Sequence, residues 1–342
     1  MSSGGQRHRH DWQRAKCARA HVDKQTLSPV TLCLRSFDIK KIVTISLNAS
    51  TFIPIVGFGT YKIDDHIAED SVGHALDAGY RHIDTAEGYG NEAGVGRALK
   101  SSGLAREDFF VTTKMWPGNP AWGDEVKTHG DTLRALDQSL ERLGLDYVDL
   151  FLIHAPSGGS RRLEQWEALV QLHQDGKARS VGVSNFSISH LEEIRSAGLP
   201  TPDANQIELH PWSQKPELTA YMKEHHIAAI AYSSLVPLAS WRVVTGLEDN
   251  TKTQEMIHEG EQSDSIFKKM AKKYEVTEAQ LLLRWGVQQG YAVLPKSTHP
   301  ERIRENLDLF SFAIDEQDMS TLSSLDRGPG VAWASGDPTL MF

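Results

Sequence analysis

From residue 42 onward two hydrophobic rhythms alternate along the chain. Short runs rich in β-branched residues read as strands near 55–59, 81–84, 109–113, 147–153, 179–183, 205–209, 228–232 and 291–295. Between them apolar positions recur every three or four residues, which predicts helices near 66–78, 91–101, 127–143, 161–174, 188–196, 215–225, a pair at 264–273 and 277–288, and 299–307. Ahead of these, "KIVTISLN" and "FIPIVGFGTY" read as two strands separated by a turn, an N-terminal β-hairpin. Each connection between later strands carries a helix, the crossover that parallel neighbours require. Eight units without a break in composition predict one closed (β/α)8 barrel over residues 42–342, not a doubly wound sheet. Long loops follow the seventh strand and close the chain.

Barrels of this kind keep their chemistry at the carboxyl ends of the strands. Asp84 closes the second strand, Lys114 the third in "FFVTTKMW" and His154 the fourth in "DLFLIHAP", and Tyr89 stands just beyond the second. Three unlike ionisable groups therefore converge beside a tyrosine. A phenol with its ordinary pKa of about 10 is a poor acid at neutral pH unless a cation lowers it. Lys114 is placed to supply that cation, with Asp84 anchoring the ammonium and His154 directing a substrate oxygen. Such a group can polarise a carbonyl and protonate the alkoxide formed when hydride arrives. None of these residues can deliver hydride, so a reduced nicotinamide is required. His82 reads as a packing group, since histidine rings pack as readily as they titrate.

Composition narrows the alternatives. No run of apolar residues is long enough to span a bilayer, and the mean hydropathy is −0.39. The formal charge of −9 is uneven: residues 1–45 hold nine Lys/Arg against three Asp/Glu, about +6, which leaves about −15 on the rest. An acidic body is a poor partner for nucleic acid. The only cysteines, Cys17 and Cys33, lie in the basic head, so a disulfide-stapled scaffold is not expected. Residues 1–41 lack the apolar core of a secretory signal and read as a disordered extension or an organellar targeting segment. The expectation is a cytoplasmic monomer, with a weak dimer or an organellar destination left open. Asn48-Ala49-Ser50 and Asn185-Phe186-Ser187 both match the glycosylation triplet, the second inside a core segment, so the triplet carries no weight here.

Four segments in order, "GYRHIDTAEGYGNE", "DYVDLFLIHAP", "GVSNF" and "VLPKSTHPERIRENL", resemble signatures of the aldo-keto reductase family, and the resemblance runs from about residue 42 to 335. It implies NADPH-dependent reduction of a small-molecule carbonyl, with Asp84, Tyr89, Lys114 and His154 as the catalytic tetrad and Tyr89 as the acid. It also implies that Ser184, Asn185 and Gln206 hold the nicotinamide carboxamide and that Tyr232 stacks on its ring, near Gly59, Thr60, Tyr61, Ser233 and Leu235. Lys296, Ser297, Thr298 and Arg302 would bind a 2'-phosphate, with Glu305 and Asn306 near the adenine. Two cations and hydroxyls there favour NADPH over NADH, and no G-x-G-x-x-G fingerprint follows a strand. The segment from Leu235 to Gln262 is long for a connection and, by the resemblance, covers the pyrophosphate.

The expected substrate mouth departs from familiar relatives. Ala155 stands where many have tryptophan after the strand-four histidine, and Tyr61 where another tryptophan is common, while Trp116 is kept and Trp122 adds a wall. A small residue at 155 would widen the pocket for bulkier aldehydes or cyclic ketones, without excluding sugars. The tail "RGPGVAWASGDPTLMF" would bring Trp333 or Phe342 to the mouth. Trp241, Trp285 and, in the alternative to a place at the mouth, Trp333 read as packing, the first and last within functional loops. Two other functions fit less well: an NADPH-binding redox sensor with little turnover, and a metal-dependent hydrolase barrel built on His82, His154 and His210. No metal is expected, because Lys114 would intrude on such a centre and the usual second histidine is Asp84.

Overall fold

The computed structural model describes residues 42–242 and 250–341. The expected extension over residues 1–41, the candidate Phe342 and residues 243–249 of the long loop lie outside the described residues.

A hairpin of β1 (Thr44–Ser46) and β2 (Phe52–Pro54) opens the fold, with Ile45 opposite Ile53. Eight parallel strands follow in order: β3 (Phe58–Gly59), β4 (His82–Asp84), β5 (Phe110–Met115), β6 (Leu150–Ile153), β7 (Val181–Ser184), β8 (Ala204–Glu208), β9 (Ala228–Tyr232) and β10 (Ala292–Val293). Parallel bridging of Val56 to Val293 and the bond from Gly59 N–H to Pro295 O join the first strand to the last, closing the barrel. "FIPIVGFGTY" does not form one strand, because its first residues pair in the hairpin and only its end joins the barrel.

Helices α1 (Asp65–Ala78), α2 (Glu92–Ser101), α3 (His129–Leu143), α4 (Arg162–Gln174), α5 (Ile188–Ser196), α6 (Pro216–Glu224), α7 (Gln254–Glu261), α8 (Ile266–Lys273), α9 (Glu278–Gln288), α10 (Pro300–Leu307) and α11 (Glu316–Ser323) surround it. The start of α3 is set two residues later than the pattern implies, by a capping box in which Thr128 and Asp131 satisfy each other's backbone N–H. Two helices were not expected. The first, α7, lies inside the long loop, capped by Thr253, and seats directly on the loop backbone: a Cβ at Gly260 would stand 2.7 Å from the Ala239 nitrogen. The second, α11, starts at an Asp315 cap. Among the described residues no helix is long and apolar enough to cross a membrane.

The barrel interior explains why the site lies where it does. Alternate strand residues point inward, and at the hairpin end these are apolar: Phe110, Leu150, Leu152, Ala204, Ile230 and Ala292 pack with Leu47 and Ile53, which plug the opening. The intervening Phe151, Ile153, Val111, Ile83 and Ile207 pack into the layer under the helices. Following the inward positions upward, Phe110 gives way to Thr112 and Lys114, His82 to Asp84, and Ala204 to Gln206 and Glu208. The polar end of the interior is thus a continuation of the same alternation that builds its apolar floor.

Candidate active site

Lys114 is fully buried, and its ammonium lies 2.7 Å from Asp84 Oδ1, 2.8 Å from Thr85 O and 3.3 Å from the Tyr89 hydroxyl. Asp84 uses its second oxygen to accept from Gln206 Nε2 at 2.8 Å, so the carboxylate is tied both to the neighbouring β5 and to β8 across the interior. Tyr89 ends a short 3-10 turn (Glu87–Tyr89), and its ring stands edge-on to His154 with centroids 5.4 Å apart. All four expected catalytic side chains therefore meet.

Their electrostatics follow from burial set against neighbours. Burial is the strongest single influence and disfavours the Lys114 charge, but Asp84 and Tyr89 together outweigh it and hold the pKa above its ordinary value. Burial keeps the Tyr89 phenol above its ordinary pKa, and Lys114 pulls against that rise without reversing it. The expected lowered phenol is thus not what this arrangement produces; Lys114 instead limits an upward shift. Burial, then Lys114, keeps His154 well below the ordinary imidazole value and hence neutral at physiological pH.

These groups face a cavity of about 1350 Å³, lined by Asp84, Tyr89 and His154 at its deep end. Along its floor, Asn185 adopts a left-handed backbone with φ 64°, donates to His154 O and Ser184 Oγ, each at 3.0 Å, and accepts from the Tyr232 hydroxyl at 2.8 Å. Ser184 donates to Gln206 O at 2.7 Å. This knitted patch of amide, hydroxyl and aromatic ring continues into Gly59, Tyr61, Ser233 and Leu235 along the wall. At the other end Lys296, Ser297, Thr298, Arg302, Glu305 and Asn306 line the cavity around the start of α10. The Lys296 amine is held below its ordinary pKa by partial burial and by the charges of Arg242 and Lys62. Cations gathered in this way, beside a helix start and a hydroxyl, suit a phosphate-bearing ligand. One cavity joins the tetrad to the cation group, with amide, hydroxyl and aromatic groups between them, and these residues fit a dinucleotide.

Two expected residues stand elsewhere. Thr60 is buried, with its hydroxyl donating to Asp84 O at 3.0 Å, and braces strands without reaching the cavity. Ala155, two residues past the end of β6, is fully buried and does not itself line the cavity. Three tryptophans build the wall instead: Trp116 and Trp122 stack with centroids 5.5 Å apart at 11°, and Trp333 lies 6.4 Å from each. Trp333 also stands edge-on to His154 at 6.5 Å. Trp285 is buried in the core, whereas Trp241 lines the cavity. The histidines of the metal alternative separate, His82 bonding Thr112 Oγ1 at 3.0 Å and His210 Glu208 Oε1 at 2.8 Å. Among the described residues no group of three potential ligands could hold a metal.

Several contributors escaped sequence reasoning. Lys62 and Arg242 line the cavity, and Arg242 lies over the Tyr61 and Trp241 rings at 4.9 and 4.5 Å. Glu87 accepts from the Trp116 N–H at 3.0 Å and pairs with Lys127 at 3.2 Å, while Lys127 donates to Trp116 O at 2.8 Å. Neither clamp carries a local signal, since each is an ordinary charged residue in a polar stretch.

Comparison with known proteins agrees with this geometry. The model of the Aldo/keto reductase family matches residues 56–327. An aldo-keto reductase of Mycobacterium sp. (strain MCS) is 41% identical over 290 residues, covering 84% of this chain and 92% of that protein. The glyoxal reductase of Bacillus subtilis (strain 168) is 38% identical over 285 residues, covering 83% and 93%. A Bombyx mori aldo-keto reductase solved in complex with NADP superposes with a TM-score of 0.71 at 34% identity, covering 83% of this chain and 92% of that one. With a family match across most of the barrel and relatives of this similarity over nearly their whole lengths, the chain belongs to the aldo/keto reductase family and is an oxidoreductase.

Proposed function

We propose that the protein reduces aldehydes or ketones to alcohols with NADPH, and that Tyr89 gives the proton. The observation that carries this reading is the buried Lys114 ammonium, 2.7 Å from Asp84 and 3.3 Å from the hydroxyl of a tyrosine that faces the cavity. The naming of one relative as a glyoxal reductase and the NADP complex of another support the carbonyl and the cofactor respectively.

The Ser184, Asn185, Gln206 and Tyr232 patch would hold a nicotinamide, which when bound supplies the hydride. Lys296, Ser297 and Arg302 would hold the 2'-phosphate that distinguishes NADPH from NADH. Burial keeps the Tyr89 phenol protonated at neutral pH, which a proton donor requires, and Lys114 stabilises the phenolate left when the proton passes to the substrate oxygen. Asp84 holds Lys114 in place. Neutral His154 can direct one hydrogen bond at the same oxygen without taking the proton's place as a charge. The tryptophan wall favours carbonyl compounds with a flat apolar face.

Tyr89→Phe removes the donor and keeps the ring. It should abolish aldehyde-dependent NADPH oxidation while leaving NADPH binding, followed by fluorescence, nearly intact. Unchanged turnover would sink the assignment.

A further inference from the structure

Trp333 forms the outer wall of the site, yet it stands on a tail segment that is neither helix nor strand. Two buried carboxylates hold that segment. Glu208 ends β8, two residues beyond Gln206 on the inward register, and is 1% exposed. Its Oε1 accepts from Val331 N–H at 2.8 Å and its Oε2 from Ala332 N–H at 2.9 Å, while His210 Nε2 lies 2.8 Å from Oε1. Asp337 reaches back from the tail itself. Its Oδ2 accepts from Gly330 N–H at 2.6 Å and from the Lys215 ammonium, and its Oδ1 from the Thr339 N–H and hydroxyl at 2.9 and 2.7 Å.

Three successive backbone N–H groups, at 330, 331 and 332, thus end on carboxylate oxygens immediately before Trp333. The fit is close: a Cβ at Gly330 would stand 2.3 Å from Glu208 Oε2 and 3.3 Å from Asp337 Oδ2, so only glycine lets the chain pass between the two acids. Neither acid lines the cavity. Buried carboxylates in charge-assisted bonds to backbone are strong and directional holds, and here they fix the one chain direction that aims an indole at Trp116 and His154.

We propose that Glu208, with Asp337, is a latch that positions Trp333 and thereby sets which carbonyl compounds the site accepts. Glu208 is a positioning residue, acting through the backbone of 331 and 332 and touching neither substrate nor cofactor. The consequence for substrates rests on the carbonyl-reductase reading; the latch itself does not. A substrate whose flat face lies on Trp333 depends on the latch, whereas a small dialdehyde does not.

The test pairs Glu208→Gln, which keeps the shape and removes the charge, with Trp333→Ala in a double-mutant cycle. Losing one charge-assisted hold should raise KM for benzaldehyde on the order of tenfold or more, leave KM for glyoxal within about twofold and leave NADPH affinity unchanged. In the Trp333→Ala background, Glu208→Gln should add nothing. An equal rise for both aldehydes, or a full effect on top of Trp333→Ala, would reduce Glu208 to a general structural role and overturn the proposal. Hydrogen exchange at the amides of 330–332 reads the latch without turnover and should quicken on the order of tenfold or more in Glu208→Gln. Unaltered exchange overturns the latch, even if the wild-type protein reduces no aldehyde and the functional reading fails by itself. Should Glu208→Gln not fold, Asp337→Asn is read by the same exchange and KM comparison, from the other side of Gly330.

Discussion

Removing Lys114 tests whether the tetrad is a catalytic device or only a stabilising ion pair. Its ammonium and the Asp84 carboxylate are both buried and lie 2.7 Å apart. At an effective dielectric of about 20 their attraction at that distance is roughly 6 kcal/mol, set against a desolvation penalty of several kcal/mol for each ion. The intact pair therefore adds little net stability, but Lys114→Met leaves a buried carboxylate that still accepts from Gln206 Nε2 and has lost its counter-charge. That should destabilise the fold by about 3–5 kcal/mol. Asp84→Asn in the same chain removes the orphaned charge, so the double variant should recover most of the loss. Turnover behaves differently, because Tyr89 needs the cation and the double variant still lacks it. Urea unfolding at neutral pH, followed by tryptophan fluorescence, measures the first quantity, and NADPH oxidation with a panel of aldehydes the second. Stability restored without activity is the expected pattern. Turnover surviving in Lys114→Met would refute the catalytic role, and a double variant no more stable than the single one would refute the buried-pair energetics.

Two further outcomes follow from the site and from the layer beneath it. Lys296→Ala should weaken NADPH binding by about tenfold to a hundredfold, the scale of a lost charged hydrogen bond, and NADH much less; equal losses in titrations of the two would place the 2'-phosphate elsewhere. Burial lowers the pKa of fully buried His82 from 6.5 to about 4, so between those values the unfolded chain binds a proton that the native state refuses. Stability should therefore fall as pH drops through that window, by about 3 kcal/mol in all from this group. The pH dependence of urea midpoints should flatten by that amount in His82→Gln, and an unchanged slope would remove His82 as the cause.

What the sequence makes legible has a physical boundary. Within a strand, period and register decide a residue's neighbours before any loop is placed. Phe110, Thr112 and Lys114 follow one another up the same inward face, and His154 extends the face begun by Leu150 and Leu152. Asp84, Lys114 and His154 could thus be brought together from spacing alone. Where that order ends, sequence reasoning fails. α7 escaped notice because only Gly260 of its residues is buried and its apolar face is too sparse to show a period. Lys62 and Arg242 look like solvated charges until loops after the first and seventh barrel strands fold over the same opening. Glu208 is the instructive case. Its inward position follows from Ala204 and Gln206, and an inward acid above Gln206 could have been flagged. Its partners could not, because they are backbone N–H groups more than a hundred residues away, in a tail whose course depends on the bonds it makes to Glu208. The catalytic floor belongs to the regular part of the fold and is readable from it. The tryptophan wall, which we propose selects the substrate, is held by contacts between distant irregular segments, which no local pattern encodes.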